Sequence, residues 1–172
     1  IVDDGPTQVG VESTVVDMSI STPIILRPGA VTQPQLEEVL QMKVIDATST
    51  ESVASNVTPK APGMKYRHYA PDKNVVMFDE LDALELKQVL APNDVVMAQD
   101  DMIEKMALTN HQAWSLGNTL ETATEQLFAG LRFYDDDSQI TTIYVQKMPP
   151  IGIGKAFNNR LGKAAENQEF QN

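Results

Sequence analysis

Short apolar runs alternating with amphipathic stretches organise the second half of the chain. From Asn74 onward NVVMF, DVVMA, AWSLG and ITTIYV are β-branched or aromatic runs of strand length, suited to strands covered on both faces. Between them LDALELKQVLA reads as a helix, and a weaker helix is expected around Met102 to Leu108. A stronger helix is expected from Asn118 as N-cap with Glu121 three residues on, its apolar stripe formed by Leu120, Ala123, Leu127, Leu131 and Tyr134. A last helix begins near Gly154 and sets Phe157, Leu161, Ala164 and Ala165 on one face. This β-α alternation predicts an α/β unit, a parallel sheet with right-handed crossovers and helices on its faces.

The first 40 residues follow a different rhythm. VGVESTVVD alternates, with Val11, Ser13 and Val15 on one face and Glu12, Thr14 and Val16 on the other. TPIILR follows after a polar connection, so an antiparallel hairpin is expected. Pro28 and Gly29 stop its second strand. Thr32 as N-cap, Pro34 in the first turn and Gln35 at the capping-box position then open a short helix ending near Leu40. From residue 46 to 72 the chain turns to Ser, Thr, Pro and Ala without an apolar period and reads as a linker. Its second half is more than a spacer, because Lys65, Tyr66, Arg67, His68 and Tyr69 lie together between Pro62-Gly63 and Pro71.

Composition narrows the function classes. The 172 residues include no cysteine and two histidines, His68 and His111, so disulfides and thiolate metal sites are excluded and no protein-bound metal is expected. A formal net charge of -11 argues against direct nucleic-acid binding and confines phosphate chemistry to local basic spots. No apolar run approaches the roughly 20 residues of a membrane helix, and cytoplasm is the default location. The opening IVDDGPTQVG has neither Met nor leader character and reads as the interior of a longer chain.

Two clusters could carry chemistry. Ser13 and Arg27 fall on adjacent strands of the expected hairpin, a hydroxyl and a guanidinium within reach of one ligand, and arginine suits phosphate through its planar fork. The same pair also fits an ordinary strand serine and a surface arginine before a turn. In APGMKYRHYAP, aromatic and cationic groups could stack on a base and neutralise phosphate, or could simply cover a seam between domains. Four other features read as structural. IGIGKAFNNRLGK has glycines and Lys155 before a helix but lacks phosphate-loop spacing and the Ser or Thr after the lysine. Asp135, Asp136 and Asp137 read as a solvated helix end, and Asp100 with Asp101 as a weak acidic pair. His111 and Trp114 complete the structural set.

Taken in order and spacing, GVESTVVD, ILRPG, APGMKYRHYAP and GIGKAFNNRLGKAA make the whole chain resemble the C-terminal part of the two-domain threonylcarbamoyl-AMP synthases. The resemblance implies that residues 1–44 are the end of a YrdC-like α/β catalytic domain, a β-hairpin and helix remnant. Residues 45–72 would be the interdomain linker, and 73–172 a Rossmann-like accessory domain. It implies a nucleotidyltransfer in which L-threonine, bicarbonate and ATP, accompanied by Mg2+, give threonylcarbamoyl-AMP and pyrophosphate. The intermediate would pass to tRNA threonylcarbamoyl-transfer proteins. By matching position, Ser13 would contact threonine, Arg27 the ATP phosphates, and His68 the nucleotide, with Lys65, Tyr66, Arg67 and Tyr69 as a candidate lid. The family's main basic and serine-asparagine motifs would lie upstream, leaving the catalytic residues unidentified and this stretch alone inactive. A non-catalytic binding or regulatory module with a Rossmann-like fold is the alternative. A carbamoyl-transfer maturation protein is a third reading, disfavoured because its relatives should not end in this linker and accessory domain.

Overall fold

The computed structural model describes residues 9–48 and 70–171. Its larger unit is a four-stranded sheet built from β4 (Asn74–Phe78), β5 (Asp94–Ala98), β6 (Ala113–Ser115) and β7 (Thr142–Gln146). The strands lie in the order β4-β7-β5-β6, and every pairing is parallel. Helices α2 (Ala83–Val89), α3 (Asp100–Lys105), α4 (Leu120–Asp135) and α5 (Gly154–Ala164) connect or follow the strands.

The two-residue period of a strand explains why the apolar runs are unbroken. Val75, Met77, Val95, Met97, Ile143 and Val145 face α4 and α5, packing with Leu127, Leu131, Phe157 and Leu161. The intervening Phe78, Val96 and Ala98 face the other way, onto Leu86 of α2 and Met102 of α3. The expected stripes on α4 and α5 are buried, apart from the partly exposed Leu120.

The smaller unit contains β1 (Val15–Asp17), β2 (Ile24–Arg27), α1 (Gln33–Leu40) and β3 (Ile45–Asp46). The first two strands pair antiparallel as expected. Helix α1 starts through the expected capping box: Thr32 is the N-cap, and its backbone N–H donates to Gln35 Oε1 at 2.8 Å.

Four local expectations need correction. The alternating run from Val9 becomes a strand only at Val15, because Gly10 takes a left-handed φ of 68° where a Cβ would collide with the α4 backbone at Thr124 and Glu125. Asp46, placed in the linker by composition, instead pairs parallel with β2 together with Ile45 before it. The N-cap of α4 is Thr119 rather than Asn118, its hydroxyl accepting from the Thr122 N–H at 3.1 Å. The weak helix begins at Asp100, two residues before the expected start, and closes at Lys105.

The small unit is held against α5 of the large one. Lys155 Nζ lies 3.2 Å from Asp46 Oδ2, and Arg160 is ion-paired with Glu12. A cavity of about 260 Å³ remains beside the first contact, lined by residues including Pro28, Gly29, Thr32, Asp46, Ile151 and Lys155. The outer surface of the small unit leaves apolar side chains exposed, among them Met18, Ile20, Val39 and Met42. Among the described residues, no helix is long and apolar enough to cross a membrane.

Candidate functional site

Ser13 and Arg27 do come together. Arg27 ends β2 opposite Val15 in the antiparallel register, and its Nε donates to the Ser13 carbonyl at 3.0 Å. That bond uses one of the five guanidinium donors and fixes the plane of the fork beside the exposed Ser13 side chain. Gly29 keeps the following turn tight. A Cβ there would strike the backbone of Glu12, Ser13 and Thr14, so ILRPG lies directly against GVEST. Thr14 braces the same contact from the side, its hydroxyl donating to the Val31 carbonyl at 2.7 Å.

Behind this pair stands α5. Arg160 is 4% exposed in its side chain and meets the Glu12 carboxylate, one residue before Ser13. A charge so buried is tolerable only with a partner, and here the partner belongs to the segment that carries the candidate site. Lys163 lies one turn further along α5. Burial first, then the Arg160 and Arg27 guanidiniums, push its ammonium below the ordinary lysine value, while Glu12 acts in the opposite sense.

At the other end of α5, Asp46 is almost wholly buried. Burial pushes its carboxyl up, but the Thr48 hydroxyl and N–H and the Lys155 ammonium outweigh it and hold the group below its ordinary value. Lys155 is thus engaged in an ion pair. Gly154 is a packing glycine, since a Cβ there would run into the Pro149 carbonyl. The structural reading of this stretch holds.

His68, Lys65, Tyr66, Arg67 and Tyr69 lie outside the described residues. The remaining acidic features are locally engaged. Asp100 accepts from the Ser115 hydroxyl, Asp135 from the Asp72 N–H at 2.8 Å, and Asp137 from the Gln139 N–H at 2.9 Å. Trp114 packs on Phe133 and Tyr134, with ring centroids 5.2 and 6.0 Å away. His111 sits exposed in the turn before β6. Among the described residues, no group of three or more His, Asp or Glu is placed to hold a metal ion.

The sequence reading missed Glu12, Asp46, Lys155, Arg160 and Lys163 as a set. One signal was present: Arg160 falls between Phe157 and Leu161 on the apolar stripe of α5, where a cation requires a buried partner.

A parallel α/β sheet whose last helix is ion-paired to the segment bearing Ser13 and Arg27 defines a broad class, and comparison with known proteins narrows it. Residues 31–166 match the family described as threonylcarbamoyl-AMP synthase, C-terminal domain, and the chain belongs to that family. It is 32% identical over 169 residues to the threonylcarbamoyl-AMP synthase of Pyrococcus abyssi, covering 96% of this chain and 48% of the relative. The corresponding Bacillus subtilis protein is 32% identical over 170 residues, with the same coverage. The chain therefore spans about half the length of the curated relatives it matches. Among solved structures, P. abyssi Sua5 complexed with L-threonine superposes with a TM-score of 0.79 at 29% identity, over 98% of this chain and 50% of that one. A variant of the same protein with a neighbouring histidine and tyrosine changed to alanine also gives 0.79 at 29% identity, over 96% of this chain and 48% of that one.

Proposed function

We propose that this chain acts as the C-terminal part of an L-threonylcarbamoyladenylate synthase. In the reaction, the threonine amine and bicarbonate form a carbamate with loss of water. A carbamate oxygen then attacks the α-phosphorus of Mg-ATP, and pyrophosphate leaves. The product would serve the transfer proteins that modify tRNA, in the cytoplasm.

Ser13 contacts threonine in this reading, and Arg27 stabilises charge on the phosphates, where a guanidinium held in place before reaction is most effective. The observation that carries the assignment is the bond from Arg27 Nε to the Ser13 carbonyl, which ties the end of β2 to the segment just before β1. His68 reaches the nucleotide, and Lys65, Tyr66, Arg67 and Tyr69 shield the carbamate from water. Two structures of one relative support this reading: one is complexed with L-threonine, and the other alters a histidine-tyrosine pair. This chain has one such dipeptide, His68-Tyr69.

The segment 73–172 is the Rossmann-like accessory domain, and 45–72 joins it to the end of the YrdC-like domain in residues 1–44. The family match disfavours a purely regulatory module. The test is pyrophosphate release by the full-length protein with each substrate omitted in turn. Release requiring threonine and bicarbonate together is the expected result; release from ATP alone would contradict the assignment.

A further inference from the structure

The stretch from Val9 to Thr14 precedes β1 and belongs to no strand, so no ladder of backbone hydrogen bonds sets its register. Its place comes from contacts with other elements, and two of them belong to the parallel-sheet unit. Gly10, with its left-handed φ of 68°, lies so close to α4 that a Cβ would strike the backbone of Thr124 and Glu125. Two residues on, the Glu12 carboxylate meets the Arg160 guanidinium of α5, whose side chain is 4% exposed. The small unit adds its own contacts: Gly29 abuts the backbone of Glu12, Ser13 and Thr14, the Thr14 hydroxyl donates to the Val31 carbonyl, and Arg27 Nε donates to the Ser13 carbonyl. Ser13 is thus suspended between an ion pair at the residue before it and a hydrogen bond at the residue after it.

We propose that Arg160 is a positioning residue for both substrates of the adenylation: through Glu12 it fixes the Ser13 hydroxyl that meets threonine and the Ser13 carbonyl that orients the Arg27 fork on the ATP phosphates. This rests on the reading of Ser13 as a threonine ligand and Arg27 as a phosphate ligand. An unpaired charge at the depth of Arg160 is costly, so the contact is not easily given up and the backbone carrying Ser13 follows α5. Reaction rates are steeply sensitive to such placement, a shift of about 1 Å costing on the order of 100-fold. The parallel-sheet unit then has a share in the chemistry without contributing a ligand. Its signature differs from that of either ligand: losing the Ser13 hydroxyl should weaken threonine use, losing Arg27 should weaken ATP use, and losing Arg160 should weaken both.

The test is pyrophosphate release by the full-length protein carrying Arg160→Met, Arg160→Lys, Glu12→Asp, Ser13→Ala, Arg27→Ala or Leu86→Ala, at a temperature below the unfolding range of each variant. Leu86 is buried on the other face of the sheet with Phe78 and Met102, so its truncation destabilises the same unit without touching the segment. Arg160→Met should lower kcat/KM for threonine and for ATP by about 10- to 100-fold each, while Leu86→Ala, with a comparable fall in melting temperature, keeps the wild-type values. Arg160→Lys, which retains a cation for Glu12, should recover part of both. Glu12→Asp keeps the charge but shortens the arm. It should lose activity toward both substrates with a smaller fall in melting temperature than Arg160→Met, and it takes that variant's place if Arg160→Met does not fold. Wild-type kcat/KM in Arg160→Met, or in Glu12→Asp standing in for it, alongside losses in Ser13→Ala and Arg27→Ala would overturn this inference alone. Equal losses in Leu86→Ala and Arg160→Met would reduce Arg160 to a stabilising role and overturn it too. No loss in Arg160→Met, Ser13→Ala or Arg27→Ala would remove the reading of the two ligands as well.

Discussion

The Arg160 guanidinium of α5 meets the Glu12 carboxylate beside Ser13, 148 positions away in sequence (160 − 12), so the parallel-sheet unit holds the segment that carries the candidate site. Removing one partner leaves the other charged and poorly solvated. Arg160→Met should therefore cost about 3 kcal/mol, the lower end of the range for buried pairs because Glu12 is 25% exposed. A double-mutant cycle with Glu12→Gln in chemical denaturation checks this. The double variant should lose less than the two singles combined, and strict additivity would mean that the pair is not coupled.

Asp46 predicts a pH dependence. Its folded carboxyl titrates below the ordinary value of 3.8, so its stabilisation is present above that value and is lost as pH falls through the folded one. Asp46→Asn should lower stability at pH 7 and reduce the further loss seen in wild type on acidification. Denaturation midpoints at neutral and acid pH measure both effects; an equal acid loss in wild type and variant would exclude Asp46 as the source.

Gly154 separates packing from phosphate binding in the glycine-rich stretch. Gly154→Ala forces a Cβ onto the Pro149 carbonyl, and backbone cannot yield as a side-chain tip can. A loss of about 3 kcal/mol is expected, at the upper end for overpacking and larger than the helix-propensity gain of about 1 kcal/mol. Thermal unfolding gives the answer, and a variant as stable as wild type would show that the turn relaxes freely.

The pattern of apolar residues was sufficient for the parallel sheet because β4 and β5 are covered on both faces, which makes NVVMF and DVVMA stand out as unbroken runs. Chain ends of elements were harder. Asn118 and Thr119 are both good N-caps, and the choice fell to Thr119 because Thr122, not Glu121, completes its capping box. Strand β3 was hidden because two residues carry no period, and its pairing depends on β2, about 20 positions earlier. The motif GVEST drew attention to Ser13, while its Glu12 gained meaning only when folding placed Arg160 against it.

Protection from exchange should follow the same division. Amides of Val75, Val96 and Val145, within the four-stranded sheet, should exchange far more slowly than those of α1, none of whose residues is buried. Equal rates in the two regions, read by hydrogen-exchange mass spectrometry, would contradict an independently stable parallel-sheet unit.

The central claim is that Ser13 and Arg27 serve different substrates of one adenylation, and substrate-resolved kinetics of pyrophosphate release by the full-length protein test it most directly. Arg27→Ala should reduce kcat/KM for ATP by about 10- to 100-fold, a loss of roughly 1.5 to 3 kcal/mol, with the KM for threonine little changed. Arg27→Lys should recover part of that loss, and Ser13→Ala should raise the KM for threonine while sparing that for ATP. Full ATP use by Arg27→Ala, or the same change for both substrates in both variants, would contradict the assignment.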